Sequence, residues 1–354
     1  MSVLEVIALH AADAERAEAG GADRVELLGT MDHDGLSPEP RVVEKARRAT
    51  SIQIRPMVRL REGFGTDGGE VTRMKGLIAA YLDASCAAID AAVAAKRRQI
   101  ETLDALRAST LQRVVTQGLR PDGPLVESGN PWLERIPAGW SLVQLKRIAE
   151  VHGGLTLGKS YEGEPVVEYP FLRVANVQDG HVDLTEVSTL EVPPAVAAGV
   201  TLRAGDVLMT EGGDLDKLGR GTVWEGQIAP CLHQNHVFAV RCIEHKVVPH
   251  FLAYVTASRY GRDYFEATGK RTTNLAATNA TKVGAFYIPL PSLPEQNELV
   301  AYLDAEFGRL KAIQGVIGKQ IDTLTAYRKS LIHECVTGQR RIGEAELAAA
   351  GVAP

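Results

Sequence analysis

The sequence predicts a mixed α/β protein: a truncated βα-repeat segment, then one strand-rich α/β domain flanked by two long helices that form an antiparallel coiled coil. The first observation is an internal repeat. At a constant offset of 221 residues, 14 of the 38 positions from 81 to 118 are identical to those from 302 to 339. The segment between the two copies is rich in glycine, proline and short apolar runs. This composition is typical of strands joined by turns.

The N-terminal segment, residues 1–78, alternates strand and helix patterns. The predicted strands are LEVIAL (4–9), RVELL (24–28) and IQIRPMV (52–58). An Ala/Glu-rich stretch at 11–20 and a stretch at 38–49, which begins with proline, separate them as predicted helices. This alternation predicts βα units with a parallel sheet. About three such units precede the first long helix.

Both copies of the repeat place apolar residues at alternating steps of three and four, which is the period of a coiled coil. The predicted helix-pairing residues are Leu82, Ile89, Val93, Ile100, Leu103, Leu303, Phe307, Leu310, Ile317, Ile321 and Leu324. Lys96, Gln314 and Arg328 interrupt this seam. A lone helix of about 38 residues would expose its apolar stripe over roughly 55 Å. We therefore expect the helices at 79–120 and 298–338 to pair.

The strand-rich domain is predicted at 121–297, and a tail follows at 339–354. The net charge of −5 argues against a protein that coats nucleic acid through bulk electrostatics, but it allows a local basic groove. Four dispersed cysteines and the lack of a basic leader predict a cytoplasmic protein. No apolar run reaches the roughly 18 residues that span a bilayer, so no membrane partner is expected.

Several motifs occur in a defined order along residues 80–342: IPAGW (136–140), YPFLRVANVQDG (169–180), LRAGDVLMTEGG (202–213), HQNHVFAVR (233–241) and IPLPSLPEQ (288–296). In these motifs the chain resembles the specificity subunit of type I restriction-modification systems. The resemblance implies a target-recognition domain that reads double-stranded DNA. It also implies paired helices that dock methyltransferase subunits and, through them, the restriction subunit. Such a subunit is non-catalytic and has no cofactor.

A full-length member of that family has two recognition domains, and this chain shows one. We therefore expect two chains to associate as a homodimer that reads a symmetric, interrupted site.

The N-terminal segment carries GADRVELLG (21–29), DGLSPEP (34–40) and IRPMVRLREGF (54–64). These motifs resemble the start of the CutC copper-homeostasis family, a (β/α)8 barrel. Three units cannot close a barrel, so we interpret the chain as a barrel fragment fused to half of a specificity subunit. Glu5, Glu26, Arg55 and Arg59 fall on predicted strands, but no working site is expected without the rest of the barrel.

The candidate DNA-binding residues fall in three regions. They are Lys270, Arg271, Thr272, Thr273 and Asn274, then Lys217 and Arg220, then Asn176 and Gln178. Arginine can bind guanine with two hydrogen bonds, asparagine can bind adenine, and lysine and threonine suit phosphate. Ordinary solvated loops are the alternative for the two basic regions. The amides of Asn176 and Gln178 would serve equally well to cap a turn.

Other chemistries find little support. The spacing of Cys231, His233, His236 and Cys242 lacks the paired ligands of a zinc finger, and no metal site is expected. Asn130-Pro131-Trp132 differs from the signature of adenine methyltransferases, and no Walker A sequence occurs. Two alternative functions stay open: a CutC-like copper-homeostasis protein with a C-terminal extension, and a non-functional rearranged relic.

Overall fold

A computed structural model describes residues 5–8, 11–27, 40–51, 53–56, 68–120, 122–213, 218–219, 221–271 and 276–352. The chain forms two compact units. The first comprises residues 1–93 and 322–354, and the second comprises residues 94–321.

The first unit begins with the predicted βα repeats: β1 (Glu5–Ala8), α1 (Ala11–Ala19), β2 (Arg24–Leu27), α2 (Pro40–Ala49) and β3 (Gln53–Pro56). The strands pair in parallel in the order β1-β2-β3, which confirms the prediction of βα units. Ala14, Val25 and Ala46 are fully buried where the helices cover the sheet. Arg59 lies outside the described residues, and only the backbone is described for Glu5, Glu26 and Arg55.

Three helices complete this unit, two of them shared with the second: α3 (Gly68–Gln117), α8 (Leu293–Val336) and α9 (Glu344–Ala349). Here Tyr81 and Ile89 of α3 pack with Leu331 and Cys335 of α8. The predicted start of the first helix at residue 79 is wrong, because α3 begins at Gly68. Ile78 also packs on this cluster, and no proline interrupts the preceding turns, so the helix extends upstream.

The predicted tail at 339–354 also contains structure, since it includes α9. Leu347 of α9 is buried in the same cluster, and Arg340 Nη2 donates to Glu346 Oε1 over 2.7 Å. Ile342, Ala350 and Val352 pack on the same cluster, so several apolar side chains hold this segment on the helix pair.

In both units α3 and α8 run antiparallel, as predicted. In the first unit Arg328 Nε lies 3.0 Å from Asp90 Oδ1, and in the second Gln314 Nε2 donates to Asp104 Oδ1 over 2.7 Å. These two pairs occupy breaks in the apolar seam. All the predicted helix-pairing residues are buried or partly buried, and Leu303 is fully buried. The seam therefore combines apolar layers with paired polar layers.

The second helix also begins earlier than predicted, at Leu293 instead of residue 298. Ser292 precedes it, and its hydroxyl oxygen accepts from the Glu295 N–H over 3.4 Å. Pro294 lies in the first turn, where a missing N–H costs no helical hydrogen bond. The proline-rich exit of the domain thus starts the helix.

The second unit contains the predicted strand-rich α/β domain, built on short strands and helices. The strands are β4 (Leu125–Asn130), β5 (Leu133–Pro137), β6 (Ser141–Gln144), β7 (Ala149–His152), β8 (Val167–Leu172), β9 (Val177–Gln178), β10 (His181–Val182), β11 (Ser188–Val192), β12 (Val207–Thr210), β13 (Gly212–Gly213), β14 (Gly221–Val223), β15 (Leu232–His233), β16 (Val237–Cys242), β17 (Lys270–Arg271), β18 (Ala276–Ala277) and β19 (Tyr287–Leu290). The helices are α4 (Pro194–Val200), α5 (Pro249–Ala257), α6 (Arg259–Thr268) and α7 (Ala280–Ala285).

An antiparallel sheet in the order β14-β12-β16-β7 forms the centre of this domain. Side chains of β12 alternate between two cores, because Val207 and Met209 join one cluster while Leu208 joins another. Phe251 and Phe265 of the flanking helices α5 and α6 are fully buried against the first cluster. A sheet covered on both faces explains why β12 is apolar at nearly every position.

Two buried polar residues come from the motifs that carry the family resemblance. Asp206, in LRAGDVLMTEGG, is 1% exposed and accepts from Arg241 Nε at 2.8 Å and Nη2 at 2.7 Å. Gln296, in IPLPSLPEQ, is fully buried and bonded to three backbone groups. Both motifs therefore hold the domain together.

Candidate nucleic-acid interface

A small sheet brings the two predicted basic regions together. In the order β13-β18-β17, both outer strands pair antiparallel with the central one. Gly213 and Arg271 both lie opposite Ala276. The chain therefore leaves β13 after Gly213 and β17 after Arg271 at the same end of the sheet.

Two of the predicted contact residues, Lys270 and Arg271, form β17 of this sheet. Lys270 is exposed on β17, and the backbone of Arg271 pairs in the same strand. The other predicted residues of these two regions lie outside the described part of the chain: Thr272, Thr273, Asn274, Lys217 and Arg220. The ends of β13 and β17, which are the roots of the two basic segments, are thus fixed by strand pairing.

A buried dipeptide anchors the first basic segment. Leu218 is 2% exposed, and Gly219 has φ +67°. A methyl group on Gly219 would stand 2.3 Å from Phe265 Cδ2, and one on Gly269 would stand 2.8 Å from Leu218 Cδ1. Leu218 and Gly219 therefore pack on the C-terminal end of α6, immediately before β17.

Replacement of Gly219 by alanine should loosen this anchor. The new methyl group would clash with the Phe265 ring, and the left-handed backbone disfavours any side chain. We expect a loss of about 2–3 kcal/mol in the free energy of unfolding. Urea denaturation of the Gly219→Ala and Gly163→Ala variants measures this loss of stability. Gly163→Ala is the control, because Gly163 also has a positive φ but an open Cβ position. Equal losses in both variants would show that the Phe265 contact contributes nothing.

Asn176 supports the fold and does not face a ligand. It is 4% exposed, and its Oδ1 accepts from the Arg173 N–H over 2.8 Å. Its Nδ2 donates to the carbonyls of Asp183 and Glu186, each over 2.9 Å. Of the two alternatives for Asn176, the structure favours the turn brace, because the amide is satisfied inside the domain.

Gln178 remains partly exposed on the β9–β10 hairpin, and its Nε2 donates to Ala175 O over 2.7 Å. Asp179, in the turn of this hairpin, pairs with Arg262 Nη2 of α6 at 3.0 Å. Since α6 leads into β17, the hairpin is attached to the helix that carries the second basic region. Sequence reasoning missed Arg262, because no motif marks it.

Three of the four cysteine and histidine residues near β15 and β16, namely Cys231, His233 and Cys242, lie in the core or pack against it. His233 is 1% exposed, its Nδ1 lies 2.7 Å from Val237 O, and burial lowers the pKa of its imidazole. Burial raises the pKa of Cys231 to about 11 and that of Cys242 to about 12. Among the described residues, no group of three or more His, Cys, Asp and Glu is arranged to hold a metal.

One helical segment, Thr72–Gln117, is long and apolar enough to cross a membrane by length and composition alone. The same segment contributes the apolar side of the helix pair, including Tyr81 and Ile89. Its hydropathy is therefore weak evidence for membrane insertion.

The fold defines a class of protein: an α/β domain carried on an antiparallel helix pair, with the strands that lead into two basic segments paired in one small sheet. The family model "Type I restriction modification DNA specificity domain" matches residues 137–321. That match spans more than half of the 354 residues, and the chain belongs to this family.

Curated relatives agree. The "Putative type I restriction enzyme MjaX specificity subunit" of Methanocaldococcus jannaschii is 28% identical over 204 residues, 57% of this chain and 46% of the relative. The EcoKI specificity subunit of Escherichia coli is 22% identical over 197 residues, 54% of this chain and 41% of the relative. The chain thus spans less than half the length of either relative.

A solved structure from work on complex assembly and conformational transition of the type I R-M system has a TM-score of 0.55 and 19% identity, covering 73% of this chain and 57% of that chain. At 19% identity this similarity shows a shared fold only.

The N-terminal part matches a second family. The CutC family model covers residues 2–120, and a CutC family protein of Klebsiella pneumoniae is 43% identical over 63 residues, 18% of this chain and 26% of that protein. The model match runs beyond residue 78 and includes α3. The CutC resemblance is therefore present but partial.

Proposed function

We propose that this chain is the non-catalytic DNA sequence-specificity subunit of a type I restriction-modification system. One target-recognition domain, residues 121–297 with its last residues in α8, binds double-stranded DNA. The observation that carries the proposal is the small sheet, on which Gly213 and Arg271 both lie opposite Ala276. Two basic segments that are far apart in sequence thereby start at one place, as a reader of adjacent bases and phosphates requires.

The binding chemistry follows from the residue types. Arg271 and Asn274 suit base edges, while Lys270, Lys217, Arg220, Thr272 and Thr273 suit phosphate or either group. Gln178 adds an amide on the neighbouring hairpin. With a net charge of −5, affinity must come from this local basic region, so it should fall as salt rises.

The partners follow from the paired helices. We propose that α3 and α8 dock methyltransferase subunits and, through them, the restriction subunit, in the cytoplasm and without a cofactor of their own. One recognition domain reads half of a bipartite site, so we also propose a homodimer on DNA. Residues 1–78 form the CutC-like fragment, residues 79–120 and 298–338 the core of the spacer helices, and 339–354 the C-terminal segment.

A CutC-like copper-homeostasis function is less well supported. The match covers 26% of the Klebsiella protein, and the described strands β1 to β3 form a three-stranded sheet where a barrel needs eight strands.

A methylome tests the proposal directly. The chain would be co-expressed with the methyltransferase subunit encoded nearest to it in a methylation-free host, and modified adenines would be sequenced. We expect a symmetric interrupted motif, whereas two unlike halves would indicate a second specificity chain. No modification, while the same methyltransferase works with an intact specificity subunit, would contradict the proposal and favour a non-functional relic.

Replacement of Arg271 by alanine should weaken binding at one base pair. If Arg271 binds a guanine with two hydrogen bonds, the cost is about 1–3 kcal/mol at that position. Competition binding with single-base variants of the recognised duplex measures it. The control is Arg309→Ala, an exposed arginine on α8 that pairs with Glu306. Uniform weakening across all duplexes would make Arg271 a phosphate contact, and unchanged binding would remove it from the interface.

A further inference from the structure

The two basic segments start from strands of only two residues each. Such short ladders are marginal in water unless other contacts fix them. Glu211, directly before β13, supplies these contacts. Its N–H donates to His236 O over 2.8 Å, and its carbonyl accepts from the Thr278 N–H over 2.8 Å. Glu211 therefore connects the small sheet, at both β13 and β18, to the turn that precedes β16.

The side chains of Glu211 and His236 reinforce this junction. Glu211 Oε2 lies 2.6 Å from His236 Nδ1, and the two side chains are 28% and 55% exposed. His236 comes from a well-fixed turn, since Gln234 N donates to Leu172 O over 2.9 Å and Asn235 N to Leu155 O over 3.0 Å. A rigid turn thus holds the imidazole against the carboxylate at the root of β13.

The pairing also has an electrostatic consequence. An unpaired carboxylate next to phosphate-binding loops would repel DNA. A histidine N–H that donates to Glu211 Oε2 holds the carboxylate in one place. Sequence reasoning rejected His236 as a metal ligand in favour of packing, and did not pair it with Glu211.

We propose that Glu211 and His236 are a positioning pair that holds the roots of both basic segments in the orientation that discriminates between DNA sequences. Neither side chain contacts a base. The inference rests on the proposed function and adds the residues on which sequence discrimination depends.

Two matched substitutions of His236 test the pair. The amide nitrogen of asparagine falls near the place of Nδ1, whereas that of glutamine falls near Nε2. His236→Asn therefore keeps the donor to Glu211, and His236→Gln loses it. Each full-length variant would be selected against a double-stranded DNA pool with a randomised centre. Affinities would then be measured for the enriched duplex and for a shuffled one.

We expect His236→Gln to bind the enriched duplex about tenfold more weakly than wild type, because a hydrogen bond to a charged group is lost. His236→Asn should stay within about twofold. Binding to the shuffled duplex should change in neither variant, and their melting temperatures should agree. If the pair only stabilised the fold, the affinities for the enriched and the shuffled duplex would change to the same extent.

Unchanged discrimination in His236→Gln would overturn the inference, as would equal losses in both variants. If His236→Gln does not fold, Glu211→Gln, which keeps the acceptor, and Glu211→Met, which removes it, decide the matter in the same way. A wild-type chain that enriches no sequence would overturn the proposed function, and the positioning role with it. A wild-type chain that enriches a sequence, beside variants that match it, would overturn the positioning role alone.

Discussion

The Asp206→Ala variant should lose about 3 kcal/mol of the free energy of unfolding. Asp206 is 1% exposed and accepts two hydrogen bonds from Arg241 and one from the Arg203 N–H at 2.8 Å. Removal of one partner of a buried ion pair leaves the other charge uncompensated, which costs about 3–5 kcal/mol. The Arg241 side chain is 24% exposed, so water recovers part of the cost and the lower value applies.

Urea denaturation at constant salt measures this loss. The matched control is Asp263→Ala, which removes the partner of Arg259 from an exposed ion pair of 3.5 Å on α6. Exposed pairs contribute about 0–1 kcal/mol, so the control should differ little from wild type. If Asp206→Ala were as stable as the control, Asp206 and Arg241 would not be a central link of β12 to β16.

The Gln296→Leu variant should lose about 2–4 kcal/mol. Gln296 is fully buried near the start of α8, where its Oε1 accepts from the Val248 N–H over 2.8 Å. Its Nε2 donates to Pro291 O over 3.0 Å and to Lys246 O over 3.2 Å. Leucine has similar volume but no polar group, so these backbone groups stay buried without that partner.

The neighbouring residue supplies the control for this variant. Asn297 is exposed and donates only to Leu293 O within its own helix, over 2.9 Å. Asn297→Ala should therefore shift the urea midpoint by little, while Gln296→Leu shifts it strongly. Similar shifts in both variants would mean that the three bonds of Gln296 do not stabilise the junction between the domain and α8.

Local patterns predicted the helix pair well. The steps of three and four specify one face of a helix, and all the seam residues are buried or partly buried. The same reasoning missed the helix ends, because ends depend on what the last turns pack against. Ile78 extends α3 backwards and Ser292 starts α8 early, and neither effect has a periodic signal.

Asn176 illustrates a different limit. The sequence identified an amide after a strand, in a position that suits either a base edge or a turn. Which role applies depends on the carbonyls of Asp183 and Glu186, brought close by the fold of the loop. Local sequence cannot assign these partners.

The sequence by itself determined the family, the antiparallel helix pair, the parallel βα fragment and the types of residue available to bind DNA. These follow from periodicity, motif order and side-chain chemistry, which act over short stretches. Only the tertiary structure decided that Gly213 and Arg271 both lie opposite Ala276, and that Glu211 and His236 pair directly before β13. Two-residue strands have no periodic signature, and their pairing is set by long-range contacts, so the assembly of the site appears only in the folded chain.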